Sequence, residues 1–541
     1  MHTNFARRKF LGNLSLITAS IALPRIVYAS NLMEDYDIAQ TTHGKVRGLK
    51  INGVSEFLGI PYAGRVSGDR RFKRPAPLER WSETRDALQP GAPSMQAPRK
   101  NEPAPAEDCL FLNIWTPAAD NKKRPVMFYN HGGGFVLGSG ISKSQNGRNL
   151  ARNFDVVVVE TNHRLGLLGY LYLDHLAGSE YSGTGNMGML DIVDGLKWLR
   201  SNISSFGGDP DNVMIFGESG GGEKTSCLYA MPQAAAYFNK ASIESGPGVR
   251  MITKEAAIAT TKLVLAALNI EEKDWRKLYD VPAAELFALQ TRLLAIPAAN
   301  AKDPEPVKFG PVVDGAVLTH HPFDPAAPEI SKNKPLLVGW NEDEYTFVAW
   351  ERKDPSFVNL DFEGLKTRLE PQYGTDSDKI IETYRKSRPD ASAADIFVAI
   401  SSITMMGLGS VKIAERKAKQ QAAPVYLYNF GYKTEVKVPG SDYPLGTPHA
   451  MDISFKFNNE VPEAGPSFFG GNRPERFVAS HHMAELWTTF ARTGKPAAKD
   501  VPEWKKYDLV NRPTMRIDTN CALINNRFTS EIALWKAIGK M

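Results

Sequence analysis

Residues 212–222 read NVMIFGESGGG, an apolar run that leads directly into the pentapeptide Gly217-Glu218-Ser219-Gly220-Gly221. A strand that enters a Gly-x-Ser-x-Gly pattern and a helix that leaves it form a very sharp turn, in which only glycine gives the crossing backbones room. The serine hydroxyl then lies exposed above the sheet. Many glycine-rich turns meet the pentapeptide alone, but the apolar run before it favours a strand, a tight turn and a helix with Ser219 as a candidate nucleophile.

A second glycine-rich loop lies upstream, where His131-Gly132-Gly133-Gly134-Phe135 follows the apolar run 125–129. Backbone N–H groups in such a loop can stabilise the oxyanion that forms when a serine attacks an ester, and each donor contributes roughly 10² to 10³ in rate. We predict that Gly133, Gly134 and Gly220 supply these donors. We interpret His131 as a support for the loop rather than as a proton carrier.

The arrangement of apolar segments predicts an α/β fold with a large, mostly parallel central sheet. Short apolar runs at 125–129, 155–159 and 212–216 are each followed by residues typical of turns. Residues 190–203 carry apolar side chains near helical spacing. Strands that alternate with helices indicate a parallel sheet covered on both faces. The Ala- and Leu-rich stretches 254–294 and 387–422 predict helices inserted between strands. We therefore expect one domain over residues 30–541.

Composition and charge exclude several functional classes. Of the 541 residues, 42% are hydrophobic and 23% are charged, which is typical of a globular protein. The net charge is +5, but residues 1–29 hold four basic residues (Arg7, Arg8, Lys9 and Arg25) and no acidic one, which leaves 61 basic against 60 acidic residues. A nucleic-acid partner is therefore not expected, because such proteins keep a basic patch in the folded body.

The N-terminus has the features of an export signal. Arg7-Arg8-Lys9 precedes a mildly apolar run at 11–23, and Val27-Tyr28-Ala29 resembles a small-residue cleavage site. The segment resembles a twin-arginine signal, which implies a periplasmic or secreted protein. The apolar run is shorter than the ~20 residues that span a bilayer, and we find no better candidate later in the chain. No stable membrane span is expected once residues 1–29 are removed.

Cysteine and histidine spacing predicts neither a disulfide framework nor a metal site. There are three cysteines (Cys109, Cys227 and Cys521), an odd number that cannot pair completely. No Cys-x-x-Cys or His-Glu-x-x-His spacing occurs, and the adjacent histidine pairs 320–321 and 481–482 are poorly placed to converge on one ion. We expect a protein that acts without a metal or an organic cofactor.

An ordered set of further motifs extends over nearly the whole chain after the signal. They lie at 44–48 (GKVRG), 57–63 (FLGIPYA), 71–72 (RF), 107–113 (EDCLFLN), 162–166 (NHRLG), 186–191 (NMGMLD), 206–212 (FGGDPDN), 310–315 (GPVVDG) and 490–494 (FARTG). With the two glycine-rich loops, this set resembles type B carboxylesterases of the cholinesterase and para-nitrobenzyl-esterase group. The resemblance implies an α/β-hydrolase fold with helical insertions that form a substrate gorge.

The same resemblance assigns the partners of Ser219. In α/β-hydrolases the acid follows the serine and the histidine follows the acid. The family's catalytic glutamate falls on Glu344, although Tyr345 stands where the family usually has glycine, so Asp343 stays open as an alternative acid. After Glu344 only His449, His481 and His482 remain, and the family's general base falls on His449. The other two histidines lie in a segment with helical spacing.

Several polar residues are expected to support the site rather than react. By resemblance, Arg71 with Glu107 and Arg164 with Asp191 form buried structural ion pairs. Cys109 lies where cholinesterases form a disulfide with an upstream cysteine, which this chain lacks. We expect Glu218 and Asp452 to lie around the catalytic groups, and Glu218 adjoins the nucleophile.

The sequence thus predicts a serine hydrolase that cleaves small-molecule carboxylic esters through an acyl-enzyme intermediate. One alternative is an adhesion protein of the same fold, since some relatives of cholinesterases have lost the serine. Another keeps the chemistry but changes the substrate to a lipid, an amide, a toxin ester or an aromatic diester. The substrate pockets are expected in the inserted segments, with Phe347, Phe397, Met405, Met406 and Tyr432 as candidate lining residues.

Overall fold

A computed structural model of the protein describes residues 35–295, 307–465 and 467–541. The predicted signal, residues 1–29, lies outside the described residues, so the expected export remains a prediction.

Fifteen strands occur in the described part of the chain. They are β1 Tyr36–Gln40, β2 Lys45–Ile51, β3 Val54–Pro61, β4 Arg85–Asp86, β5 Phe111–Thr116, β6 Arg124–Asn130, β7 Val157–Thr161, β8 Gly208–Glu218, β9 Lys240–Glu244, β10 Leu336–Asn341, β11 Val425–Phe430, β12 Thr434–Lys437, β13 Pro444–Gly446, β14 Thr514–Ile517 and β15 Ala522–Ile524.

Thirteen of these described strands form one large mixed sheet in the order β1-β2-β3-β5-β7-β6-β8-β9-β10-β11-β14-β15, with β4 beside β2. The strands from β7 to β14 pair in parallel. The strands at the two edges pair antiparallel, except that the short strand β4 pairs in parallel with β2. The prediction of a mostly parallel central sheet therefore holds for its middle. Strands β12 and β13 form a separate antiparallel pair near the predicted histidine loop.

Fourteen α-helices connect or cover the strands in the described residues. They are α1 Arg148–Phe154, α2 Gly166–Tyr170, α3 Met187–Asn202, α4 Gly220–Ala230, α5 Lys254–Ala267, α6 Ala283–Leu294, α7 Tyr345–Arg352, α8 Phe362–Tyr373, α9 Ser377–Ser387, α10 Ala393–Ser402, α11 Leu408–Lys419, α12 Asp452–Lys456, α13 Glu475–Thr493 and α14 Thr529–Ala537. A π-helical turn at Ile403–Gly407 joins α10 to α11. The predicted insertions at 254–294 and 387–422 are thus helical.

The core lies on both faces of the sheet because its central strands are buried on both sides. In β8, Val213 and Ile215 pack into one apolar cluster, while the alternate residues Met214 and Phe216 pack into the other. This period of two is that of a strand covered by helices on each face. It explains why the sequence shows continuous apolar runs here rather than alternation with polar residues.

One apolar helical stretch bears on the expectation that no later segment is a better candidate for a membrane span than residues 11–23. The run Ala393–Lys419 reaches a mean hydropathy of 1.7 over 18 residues, and by length and composition it could cross a membrane. However, 61% of that window is buried inside the protein. Its apolar side chains therefore serve the protein core, as in a core helix of a globular protein.

The carboxyl ends of the parallel strands position the functional groups. Strand β6 ends at Asn130 before the glycine loop, β8 ends at Glu218, β9 ends at Glu244, and β10 ends at Asn341 before the acidic turn. In parallel α/β sheets, ligands bind outside this edge because all the loops that follow the strands meet there. The chain order therefore places the predicted residues on one side of the sheet.

Candidate active site

The turn at Ser219 has the strained backbone that the pentapeptide predicts. Ser219 adopts φ 57° and ψ −126°, between β8 and α4, and its N–H donates to the Glu244 carbonyl at 2.9 Å. A non-glycine residue at positive φ costs of order 1 to 3 kcal/mol and persists only where its surroundings hold it in place. The hydrogen bond to Glu244, at the end of the neighbouring strand β9, stabilises this backbone conformation.

Close backbone contacts explain the glycines around the serine. A Cβ on Gly221 would lie 1.9 Å from the Asn130 carbonyl oxygen, and a Cβ on Gly217 would lie 2.5 Å from the Gly221 backbone. No side chain fits at such distances. The Gly-x-Ser-x-Gly pattern therefore follows from the crossing of β8 and α4.

The upstream glycine loop packs directly against this turn. A Cβ on Gly220 would lie 2.4 Å from the Gly134 backbone nitrogen, and a Cβ on Gly132 would lie 3.5 Å from the Ser219 Cβ. Gly133 and Gly134 both adopt positive φ, 87° and 58°. Among the described residues, none accepts a hydrogen bond from the N–H of Gly133, Gly134 or Gly220. The three predicted oxyanion donors thus lie around Ser219 with their N–H groups unused.

Glu344 and His449 lie in contact, 105 residues apart in the chain. The imidazole Nδ1 lies 2.6 Å from Glu344 Oε2, and both side chains are buried. The other carboxylate oxygen, Oε1, accepts hydrogen bonds from the Ser245 hydroxyl at 2.5 Å and from the Asn341 N–H at 2.7 Å. The carboxylate is therefore held on both sides, and it fixes Nδ1 as the protonated nitrogen.

The loops that carry these two residues are tied together by hydrogen bonds. The Asn341 side chain donates to the Pro448 carbonyl at 2.8 Å, and the Thr346 hydroxyl donates to the Leu445 carbonyl at 2.7 Å. Thr447 donates its N–H to Asp343 Oδ2 at 2.8 Å. The acidic turn and the histidine loop therefore form one rigid unit.

Asp343, the alternative acid, has other partners. Its carboxylate pairs with Lys433 at 2.5 Å and accepts from the Thr447 N–H, so it fastens the histidine loop rather than contacting the imidazole. Tyr345, which stands where the family usually has glycine, begins helix α7. Its ring packs against Phe397 at 5.0 Å and Phe357 at 5.8 Å between centroids. The tyrosine therefore points into an aromatic cluster and leaves the acidic turn intact.

The free nitrogen of His449 faces the residue before the nucleophile. Nε2 lies 3.3 Å from Glu218 Oε1. Within the described residues the Ser219 hydroxyl has no hydrogen-bond partner, so no bond joins it to the imidazole here. Catalytic hydrogen bonds are often long or misaligned without substrate and tighten in the enzyme–substrate complex.

The two carboxylates around His449 set its protonation. Burial opposes a charge on the imidazole, but Glu218 and Glu344 outweigh burial and raise the pKa of His449 to about 10. Burial also raises the pKa of the Glu218 carboxyl to about 8, against the attraction of the imidazolium. Both groups therefore bind a proton more tightly than they do in water.

A buried ion cluster lies beneath this pair. Asp452 Oδ2 accepts from Lys456 Nζ at 3.0 Å, and Lys456 also pairs with Glu244. Glu244 Oε1 accepts from Trp487 Nε1 at 2.5 Å. Asp452 acts on Glu218 and His449 through its charge, without direct contact.

Sequence reasoning missed Ser245, Glu244 and Lys456. Ser245 directly follows strand β9 in the segment IESGPG. For Glu244, the available signal was its position as a charged residue at the end of a buried strand. No local pattern indicates Lys456, because its partners are distant in the chain. By contrast, His481 is exposed beside Glu485, and His482 lies 3.3 Å from the Asp518 carbonyl.

Both predicted structural ion pairs are present. Arg71 contacts Glu107 through two hydrogen bonds of 2.7 and 2.8 Å, and Arg164 contacts Asp191 in the same way. Cys109 and Cys227 are buried thiols. In the described residues no group of three or more His, Cys, Asp or Glu side chains could hold a metal ion.

Comparisons with known proteins identify the family. The model of the carboxylesterase family matches residues 35–535. The chain belongs to the carboxylesterase family. It is 33% identical to para-nitrobenzyl esterase from Bacillus subtilis over 499 residues, which cover 91% of this chain and 96% of that protein. It is 30% identical to phenmedipham hydrolase from Pseudarthrobacter oxydans over 92% of this chain and 96% of that protein.

Solved structures agree with this assignment. A carboxylesterase from Geobacillus stearothermophilus superposes with a TM-score of 0.79 at 35% identity and covers 92% of this chain and 99% of its own. An esterase from Clostridium hathewayi described as hydrolysing aliphatic aromatic polyesters has a TM-score of 0.76 at 28% identity, over 93% and 100% of the two chains. This carboxylesterase therefore has the α/β-hydrolase fold and hydrolyses esters.

Proposed function

We propose that this carboxylesterase cleaves small-molecule carboxylic esters with Ser219 as nucleophile, His449 as general base and acid, and Glu344 as the residue that orients the imidazole. The observation that carries the proposal is the 2.6 Å contact between His449 Nδ1 and Glu344 Oε2 beside the strained Ser219 turn. The relatives act on a para-nitrobenzyl ester and on phenmedipham by name. The first of these names supports an ester substrate as a class.

The reaction begins at Ser219. His449 Nε2 takes the hydroxyl proton while Oγ attacks the ester carbonyl carbon, and the carbonyl oxygen becomes an oxyanion. The N–H groups of Gly133, Gly134 and Gly220 donate to this oxygen. Glu344 stabilises the imidazolium that forms, because its carboxylate contacts Nδ1 directly.

The intermediate collapses when the carbon–oxygen bond to the alcohol breaks. The imidazolium returns its proton to the leaving oxygen, so the alcohol departs neutral and the acyl group stays on Ser219. Water then attacks the acyl-enzyme with His449 again as base, which releases the carboxylic acid and restores the serine. No step requires a metal or an organic cofactor.

Removing the nucleophile tests the proposal. Ser219→Ala should lose nearly all ester turnover and keep at most the ~10³- to 10⁴-fold residual acceleration that binding and oxyanion donors give. It should also fail to react with a fluorescent organophosphate. Ser201→Ala, which removes an exposed hydroxyl on α3, serves as the control and should behave as the parent. Near-normal turnover or labelling of Ser219→Ala would reject Ser219 as the nucleophile, whereas a parent protein with neither turnover nor labelling would favour an adhesion role.

We also propose that residues 1–29 direct export by a twin-arginine route. The sequence Arg7-Arg8-Lys9 before an apolar run supports this. Replacing Arg7 and Arg8 together with lysine should move esterase activity from the exported to the cytoplasmic fraction. An unchanged distribution would contradict the proposal.

A further inference from the structure

A buried lysine contacts both ends of the glycine loop 131–135. Lys224 lies in α4, shortly after Ser219, and its surface is fully buried. Its Nζ donates to the His131 carbonyl at 2.9 Å and lies 5.6 Å from the centroid of the Phe135 ring. Helix α4 therefore follows the candidate nucleophile directly and also contacts, through this side chain, the loop that carries the candidate oxyanion donors.

The burial of this amine is costly, and no carboxylate pairs with it. The buried Lys456 contacts both Glu244 and Asp452, whereas in the described part of the chain Lys224 forms no ion pair with a carboxylate. A buried charge without a partner is strongly unfavourable. Burial accordingly lowers the pKa of Lys224 to about 7. An apolar side chain would avoid this cost, so the hydrogen bond to the loop is the better explanation for a lysine here.

Hydrogen bonds to the loop carbonyls direct the loop N–H groups. The Gly132 carbonyl accepts from His131 Nδ1 at 2.9 Å, and the Gly133 carbonyl accepts from the Leu137 N–H at 3.2 Å. A trans peptide bond holds its C=O and N–H on opposite sides. The peptide units that carry the N–H groups of Gly133 and Gly134 are therefore fixed, with each donor directed away from the bonded carbonyl.

Lys224 acts on this arrangement through His131. The His131 ring holds the Gly132 carbonyl, and its own carbonyl accepts the Lys224 bond. Among the described residues, only Lys224 donates to the His131 carbonyl. Without the lysine, this carbonyl is left unpaired and the main chain of His131 is free to shift. Such a shift also turns the peptide unit that presents the Gly133 N–H.

We infer that Lys224 is a positioning residue that holds the oxyanion donors of the glycine loop in place relative to Ser219. This inference rests on the proposed roles of Ser219 and the loop glycines. Acylation and deacylation both pass through an oxyanion, so misdirected donors should slow both steps. The bound substrate does not yet carry this charge, and its binding should therefore change little.

The first test replaces Lys224 with methionine, which keeps an unbranched side chain and removes the donor. Turnover of para-nitrophenyl acetate is divided by the number of sites that a fluorescent organophosphate labels at completion, so that unfolded protein does not count. For Lys224→Met, kcat should fall roughly 10- to 100-fold, which approaches the effect of losing one oxyanion donor. KM should stay within about two-fold of the parent, because both chemical steps slow together.

A transition-state analogue gives a readout that loss of stability does not move. When an alkyl trifluoromethyl ketone binds, Ser219 Oγ adds to its carbonyl carbon, His449 takes the hydroxyl proton, and the carbonyl oxygen becomes an oxyanion. Its inhibition constant should rise by about the factor by which kcat falls. Lys224→Gln keeps an N–H donor of shorter reach and should lose less than Lys224→Met in both measurements. It decides the same question if Lys224→Met does not fold.

Lys417→Met is the matched control. Lys417 is also fully buried, donates to the carbonyls of Ser331 and Lys332, and lies 5.7 Å from the centroid of the Tyr229 ring. Among the described residues it has no hydrogen bond to the glycine loop. Lys417→Met should therefore keep the kcat and the ketone affinity of the parent, whatever stability it loses.

Three results would overturn the inference. They are parent-like kcat and ketone affinity in the Lys224 variants, equal losses in Lys417→Met, or a loss confined to KM. Failure of the proposed function looks different, because Ser219→Ala would then still hydrolyse the ester and react with the organophosphate.

Discussion

Glu218 Oε1 lies 3.3 Å from His449 Nε2, on the side of the imidazole opposite Glu344. His449, the proposed general base, is therefore flanked by two buried carboxylates, and the second belongs to the residue that precedes Ser219. This relationship makes the protonation of His449 the property of the site most sensitive to substitution.

The pH dependence of turnover should reflect both carboxylates. His449 acts as base only when neutral, and the two carboxylates raise its pKa to about 10. The acid limb of kcat/KM should therefore lie above the ordinary imidazole value of about 6.5. Glu218→Gln removes one negative charge and lowers the pKa, so the limb should move to lower pH by roughly 1 to 3 units.

A pH–rate profile of both proteins checks this shift. Glu503→Gln, which removes an exposed carboxylate elsewhere, should keep the parent profile. A limb that stays in place or moves to higher pH in Glu218→Gln would show that Glu218 does not act on the imidazole.

Ser245 should hold the catalytic carboxylate in place. Ser245→Ala removes the 2.5 Å hydrogen bond to Glu344 Oε1 and leaves that oxygen with the Asn341 N–H alone. Because hydrogen bonds to charged groups contribute about 1.5–3 kcal/mol, kcat should fall roughly 10- to 100-fold. Ser242→Ala is the matched control, since it removes a buried hydroxyl that donates to Glu244 instead. Equal losses of kcat in both variants would point to general destabilisation.

Replacing Glu344 with glutamine should distinguish the orienting role of its side chain from the effect of its negative charge. Glu344→Gln keeps the size of the side chain but presents either an amide donor or a neutral acceptor to Nδ1. By the effect of such a change in serine proteases, kcat should fall about 10⁴-fold. Asp343→Asn should lose far less, because Asp343 contacts Lys433 and Thr447. A larger loss for Asp343→Asn, measured by steady-state kinetics, would reverse the assignment.

Two glycines of the site should differ sharply in tolerance to alanine. A Cβ on Gly221 would lie 1.9 Å from a backbone oxygen, so Gly221→Ala should prevent accumulation of folded protein. Gly134 has φ 58° but open space around a Cβ. Gly134→Ala should therefore fold and lose only about 1–2 kcal/mol of stability from the left-handed backbone. Soluble yield and thermal unfolding measure both effects, and a well-folded Gly221→Ala would contradict the packing described here.

Glu160 should make stability depend on pH. It is buried in β7, and this burial raises its pKa well above 4.5, although a hydrogen bond with the Gln145 side chain acts in the opposite direction. The folded protein keeps a proton that the unfolded chain releases, and stability should fall as pH rises above about 4.5. Glu160→Gln should remove a penalty of up to about 1.4 kcal/mol per pH unit.

Thermal unfolding between pH 5 and 8 at a fixed scan rate tests this prediction. Glu160→Gln should exceed the parent in Tm at pH 8 and match it more closely at pH 5. The exposed substitution Glu463→Gln should change neither value. A Glu160→Gln protein that is less stable at pH 8 would show that the carboxylate is ionised and satisfied in the fold.

Much of the fold could be predicted because it depends on local patterns. The strand before Ser219 spans Gly208–Glu218, whereas the sequence predicted an apolar run at 212–216. The helix that was expected at 190–203 spans Met187–Asn202. Apolar periodicity and turn glycines act over a few residues, so the sequence contains them directly. The antiparallel edges of the sheet depend on pairings between distant segments, which no local pattern specifies.

The site could be predicted only in part. Ser219 and the glycine loops follow from local chemistry, whereas Glu344 and His449 came from the resemblance to a family. Phe397, a candidate pocket residue, packs instead with Tyr345, and Tyr432 is buried with its hydroxyl 3.4 Å from the Gly470 carbonyl.

The sequence by itself determined the strained serine turn, the glycine-rich donors and the alternation of strands and helices, because each is set by the steric limits of a few consecutive residues. The tertiary structure alone decided that Glu344 reaches His449, that Glu218 faces the other side of the imidazole, and that Ser245 holds the acid. These contacts join residues up to 231 positions apart, as from Glu218 to His449. Their charges interact strongly only because packing brings them together away from water.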